Sequence, residues 1–108
     1  MATSTSPRAD TYVSVVLETY VSLPGTPDRA SRQDRRLATD LHDHGAPLDL
    51  VIAAIVVGAA RRAFRDRNKP PLGPVRTLAY FLPVLEEMRE CPPDPGYVAY
   101  VRAKLAAL

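Results

Sequence analysis

Leu48–Phe64, LDLVIAAIVVGAARRAF, is the most hydrophobic stretch of the chain, and a basic tail, Arg65 to Lys69, follows it. Successive side chains on an α-helix turn by about 100°. That spacing puts Leu48, Val51, Ile52, Ile55 and Val56 on one face, with Leu50, Val57, Phe64 and Ala53 roughly opposite. A helix lying on a surface has one apolar stripe and a polar back. This one has two apolar faces separated by narrow sides of alanine, Gly58 and charge, so a buried central helix over about 47–66, sandwiched between others, is expected. Pro47 suits the first helical position, Asp49 the first turn, and Arg61, Arg62 and Arg65 the last turns, where their charges complement the helix dipole. The uncharged run Leu50–Ala60 is 11 residues, well short of the roughly 20 that cross a bilayer. It also exceeds a usual strand and is rich in alanine, which favours helix over buried strand.

Outward from this segment, prolines and glycines punctuate the chain into further helices. The first is expected over about Ala9–Ser22, with Val13, Val16, Leu17, Tyr20 and Val21 in a stripe at helical spacing. Pro24-Gly25-Thr26-Pro27 ends it. The second starts near Thr26 or Ser31, where Ser31 and Asp34 approximate a capping box, and Gly45 suits its C-terminal end. A fourth is expected over about Val75–Glu90, with Leu78, Phe81, Leu82, Leu85 and Met88 as its apolar face and Pro83 forcing a kink or a restart. Asp94-Pro95 opens the last, about Pro95–Ala107, carrying Tyr97, Val98, Val101 and Leu105 inward. The expectation is an all-α protein: a single compact bundle of about five helices over residues 9–108, preceded by a flexible N-terminus, residues 1–8.

With 108 residues, 46% hydrophobic and 24% charged, the composition is that of one globular domain and not of a disordered chain. The net charge of +2 is small, but its distribution is uneven. Arg29–Arg36 holds four arginines against one aspartate, Arg61–Lys69 five basic residues against one acid, and Glu86–Asp94 four acids against one arginine. Arginine makes up all the basic residues except Lys69 and Lys104. The single cysteine, Cys91, excludes an internal disulfide and fits a reducing compartment. The N-terminus lacks an apolar signal core, so a cytoplasmic protein with no membrane association is expected.

Arg61, Arg62, Arg65, Arg67 and Lys69, joined by Arg35, Arg36 and Arg76, form the candidate site. Such a cluster neutralises phosphates without reading bases; the same residues also suit a solvated helix end. A helix-turn-helix across Gly45 is disfavoured, because a recognition helix exposes polar side chains and the second helix of this pair is the most apolar in the chain. Asp40 and His44 lie four apart, but a metal site needs three or four ligands and His42 is the only other histidine. Neither an acid–base pair, a phosphate loop nor a serine-nucleophile motif is present, so the chain reads as a non-enzyme with no cofactor.

The order of an Ala-rich apolar helix (Leu50-Val51-Ile52-Ala53-Ala54), a basic break, and Thr77-Leu78-Ala79-Tyr80-Phe81-Leu82-Pro83-Val84-Leu85-Glu86-Glu87-Met88 resembles the DnaD-like helical domain of bacterial primosome and of phage or plasmid replication proteins. Tyr80, Val84, Leu85 and Met88 match the spacing of that family's end motif, with Met88 standing where the family has tryptophan and Pro83 interrupting. The resemblance spans about residues 46–88. It implies contact with DNA, including single strands, or with a replication protein, carried by the arginines and by Tyr80 stacking on a base. The competing expectation is a protein–protein adaptor or homodimer with no nucleic-acid role, using the first helix, the thin second helix and the Tyr97/Tyr100 pair.

Overall fold

The computed structural model describes residues 8–108, in which five α-helices and one 3₁₀ turn follow one another: α1 (Ala9–Ser22), α2 (Arg32–Asp43), α3 (Leu48–Ala63), the 3₁₀ turn (Leu78–Phe81), α4 (Leu82–Glu90) and α5 (Pro95–Ala106). The all-α bundle expected from the sequence is what forms. Of the expected N-terminal tail, residues 1–7 lie outside the described residues, and Arg8 is the N-cap of α1.

α3 is the axis of the bundle. It packs against α1, the 3₁₀ turn, α4 and α5, and every residue from Ala53 to Ala60 is buried. Its buried residues are shared between two cores that do not follow the two faces expected: Ile55 and Val57 lie in the same core, Val56 lies in the other, and Phe64 is exposed. The larger gathers α1, α2, the 3₁₀ turn and α4 around Ala54, Ile55 and Val57. The smaller sets Val101 and Leu105 of α5 against Val56, Ala59 and Ala60. Small residues allow these close approaches. At Gly58 an added Cβ would lie 2.6 Å from Cδ1 of Phe81, so the buried phenyl ring occupies the space a side chain would need.

Polar groups fix the corners. Ser31 and Asp34 make the complete capping box: Asp34 N donates to Ser31 Oγ (3.0 Å) and Ser31 N to Asp34 Oδ2 (2.9 Å). Asp34 also accepts from Leu78 N at 2.9 Å through its other oxygen, tying the start of α2 to the 3₁₀ turn. Gly45 takes φ +76°, a left-handed conformation that glycine adopts at little cost, and the α2–α3 corner closes through Ala46 N donating to Leu41 O (3.0 Å). Tyr12 Oη donates to Ala46 O (2.7 Å), anchoring α1 to that corner.

Three further expectations need correction. Pro47 is the N-cap and not the first helical residue: its ψ of 134° is extended, and its carbonyl receives Leu50 N and Val51 N. The fourth helix does not begin at Val75. Residues 75–77 have no regular secondary structure, Thr77 being extended, a 3₁₀ turn follows, and the α-helix starts at Leu82 with Pro83 in its first turn. Pro83 has no N–H to donate, and its ring would collide with the carbonyl of Ala79 in a continuous helix; the restart removes both problems. Tyr97 does not point inward; it is 52% exposed, because α5 packs chiefly on α3 and fully buries only the narrow stripe of Val101 and Leu105.

Candidate nucleic-acid interface

α3 ends at its arginines. Phe64 is the C-cap, its N–H donating to Ala60 O at 2.9 Å, and the chain turns away through Asp66–Lys69, where Asp66 Oδ1 accepts from Asn68 N. The five basic residues of this end have separate environments.

Arg61 is already engaged. Its guanidinium forms a two-pronged pair with Glu87 of α4, Nη1 to Oε1 at 3.0 Å and Nη2 to Oε2. The hydrogen bond from Arg61 holds the Glu87 carboxyl below the ordinary glutamate range and in turn raises Arg61. Arg62 staples the following segment to the bundle. Nη1 donates to Tyr80 Oη (3.1 Å), Nη2 to the Gly73 carbonyl, and the guanidinium carbon lies 5.1 Å from the centre of the Tyr80 ring. Gly25, at φ +80°, brings the α1–α2 loop alongside: a Cβ there would sit 3.7 Å from Arg62 Nε. Gly25 O accepts from Val75 N (2.9 Å).

Arg65 is different. It is half-buried, and its Nε is buried without a hydrogen-bond partner among the described residues. Buried donors are rarely left unmatched, so this one has unused capacity for an acceptor. Arg67 and Lys69 are exposed and form no ion pair among the described residues. Two clefts meet here. One, of about 360 Å³, is lined by Arg62, Arg65, Arg67, Lys69 and the Pro70-Pro71 turn, with Asp66 the one acid. The other, of about 480 Å³, runs toward α4, and Arg61, Tyr80 and Val84 contribute to its lining. Arg62, Arg65, Lys69 and Leu72 line both, which makes the two a continuous basic depression.

One aromatic ring borders it. Tyr80 is 43% exposed at the edge of the second cleft. Beyond the C-cap, exposed Phe64 and Tyr100 flank Lys104, whose Nζ stands 4.7 Å and 5.6 Å from their ring centres. This cluster of Phe64, Tyr100 and Lys104 lines neither basic cleft. Tyr100 and Lys104 are one turn apart on α5, a readable spacing, but their contact with Phe64 joins two helices and leaves no local signal.

Arg35, Arg36 and Arg76 stand apart from the depression. Arg35 lines a cleft between α1 and α2 with Glu18 and Leu17, and Arg36 and Arg76 are exposed but line neither basic cleft. Of the motif shared with the DnaD-like pattern, Leu85 and Met88 are buried in the main core and Val84 is half-buried beside Gly58, leaving Tyr80 as its one exposed member. His44 Nδ1 lies 2.7 Å from the Asp40 carbonyl oxygen, closing α2 and not pairing with the Asp40 carboxylate. Comparison with protein-family models, curated proteins and solved structures gives no match to this chain.

Proposed function

We propose that the chain is a non-enzymatic nucleic-acid-binding domain, a replication-accessory module of the kind its DnaD-like resemblance implies, which holds phosphates in the basic depression at the end of α3. The observation that carries this reading is Arg65, whose buried Nε lacks an acceptor where two clefts walled by cationic side chains join. Arg67 and Lys69 supply further unpaired charge, and Tyr80 offers a ring face on which an unpaired base can stack. Arg61 and Arg62 belong to the scaffold of the site. Their guanidinium groups are committed to Glu87, Gly73 and Tyr80, so they contribute field more than contacts.

A salt titration with single- and double-stranded oligonucleotides tests this. Binding at low salt should weaken as salt rises, with a slope of about 0.7 per phosphate contact on a single strand in a plot of log affinity against log salt. In the triple variant Arg65→Ala/Arg67→Ala/Lys69→Ala the slope should fall by about 2, the loss of three such contacts. Tyr80→Ala should weaken single-strand binding by about 1–3 kcal/mol while leaving the slope unchanged. No binding at low salt, or binding indifferent to salt, sinks the proposal.

A further inference from the structure

The positive charge of the basic depression is concentrated in one place. Arg62, Arg65, Arg67 and Lys69 line the first cleft against one acid, Asp66. Asp66 is turned to its own backbone, its Oδ1 accepting from Asn68 N at 2.9 Å, and it forms no ion pair among the described residues. Four cationic side chains against one carboxylate leave a local excess of three positive charges. Toward α4 the basic surface stops at the edge of the second cleft. Past Val84, α4 exposes Glu86, Glu87 and Glu90 against one arginine, Arg89. Arg35, Arg36 and Arg76 line neither cleft. A protein that follows a long single strand needs a positive groove tracking its backbone, and the depression does not extend into one across α4.

The two clefts differ in character. The first is walled by the cations and the Pro70-Pro71 turn. The second adds Gly58, Tyr80, Pro83 and Val84, which give it an aromatic and aliphatic wall. Their volumes, about 360 and 480 Å³, fall in the range of roughly 300–1,000 Å³ typical of small-molecule pockets. Arg65 lines both, and its buried Nε has no acceptor among the described residues. A guanidinium presents its N–H groups as a planar fork that matches two oxygens of one phosphate. A phosphate inside a strand is a diester with a single negative charge. A terminal phosphate carries about 1.5 to 2 negative charges at neutral pH and three acceptor oxygens, which suits the concentrated charge better.

We infer that the depression takes a nucleotide bearing a multiply charged terminal phosphate, at the end of a strand or as a free nucleoside polyphosphate. The phosphate occupies the first cleft, and the base lies against Tyr80, Pro83 and Val84 in the second. Arg65, at the join, holds the phosphate with its fork, while Arg67 and Lys69 supply the surplus charge. This rests on the phosphate-binding role proposed above and narrows it from internal diesters to ends.

Fluorescence anisotropy of the full chain with one internally labelled single-stranded oligonucleotide, ending in a 5′-phosphate, a 3′-phosphate or hydroxyls only, tests the inference. A terminal phosphate should tighten binding by about tenfold or more, the worth of a hydrogen bond to a charged group. Arg65→Lys keeps the charge but loses the fork. It should erase that gain while leaving the affinity and salt slope of the hydroxyl-ended strand nearly unchanged. In calorimetry a nucleoside triphosphate should bind about tenfold more tightly than tripolyphosphate, which has no base to stack. A gain from the strand's phosphate without binding of the nucleotide assigns the site to strand ends, and the reverse assigns it to free nucleotides. Equal affinity for all three strands together with no binding of the nucleotide overturns the inference. Salt-dependent binding of those strands would then leave the nucleic-acid reading standing, whereas nucleotide binding with no strand binding would remove that reading and keep the site. Tripolyphosphate matching the nucleotide overturns the base cleft, and a full gain in Arg65→Lys overturns the part given to Arg65.

Discussion

Asp34 does more than its place in the sequence announces. The Ser31–Asp34 spacing reveals a capping box, but not that the second carboxylate oxygen reaches Leu78 N across 44 positions of chain. The carboxylate is 2% exposed and held by backbone N–H groups, so its loss removes a cap and strands a buried donor. Asp34→Ala should destabilise the fold by about 2–4 kcal/mol in urea unfolding, with Asp34→Asn costing less because an oxygen acceptor remains. Nearby, Tyr20 is fully buried with its hydroxyl unpartnered, and burial, aided by the negative charge of Asp34, pushes its pKa up to about 12. The unfolded tyrosine titrates near 10. Its contribution is therefore complete below pH 10. Above that the unfolded chain releases a proton that the folded chain keeps, and stability should fall by about 1.4 kcal/mol per pH unit until the folded pKa is reached. Urea midpoints of the wild type and Tyr20→Phe across alkaline pH isolate this effect, since the variant lacks the titrating group.

Helix by helix, the chain was legible where periodicity and capping acted locally. Val13, Val16, Leu17 and Tyr20 are buried on α1 as their spacing predicts, and Gly45 ends α2 with the positive φ that its type suggests. The apolar pattern from Leu78 to Met88 was also sound, with Leu78, Phe81, Leu85 and Met88 all in the core. What it could not separate is a 3₁₀ turn followed by a helix from one longer helix, since both place those residues inward and Pro83 permits either a kink or a restart. The candidate site was legible in part. A run of basic residues identified the end of α3, but which of them are free depends on Glu87 and Gly73, far along the chain. Gly58 illustrates the same limit at the packing of α3 on the 3₁₀ turn. Local propensity predicts that Gly58→Ala would gain about 1 kcal/mol in a helix. The Phe81 ring, only 2.6 Å from the position of that methyl group and buried, should reverse the sign. A net loss of up to about 2 kcal/mol is expected, from an overpacking cost of about 1–3 kcal/mol offset by that propensity gain, and the shift in urea midpoint measures it.

Over the whole molecule, α3 divides the labour by its ends and its faces. Its arginine end borders the basic clefts and its first turns border an apolar groove of about 740 Å³ shared with α5, while the buried middle keeps the two surfaces apart. The described residues span 55 × 31 × 25 Å, an elongated body with room for two unrelated surfaces. The polarity foreseen from charge runs is moderated by folding, because acidic α4 meets basic α3 in the Arg61–Glu87 pair and withdraws one arginine from solvent contacts. Arg65, Arg67 and Lys69 remain at the basic clefts, one of which Tyr80 borders.

The second core consists of α5 leaning on Val56, Ala59 and Ala60, with no other helix fully enclosing it. Opening α5 therefore exposes one modest apolar stripe and leaves the main core intact, so this helix forms a sub-global unfolding unit with a free energy below that of the entire chain. The bundle acquires a hierarchy: α5 exchanges its amide hydrogens through partial opening, whereas the middle of α3 exchanges only when the main core comes apart.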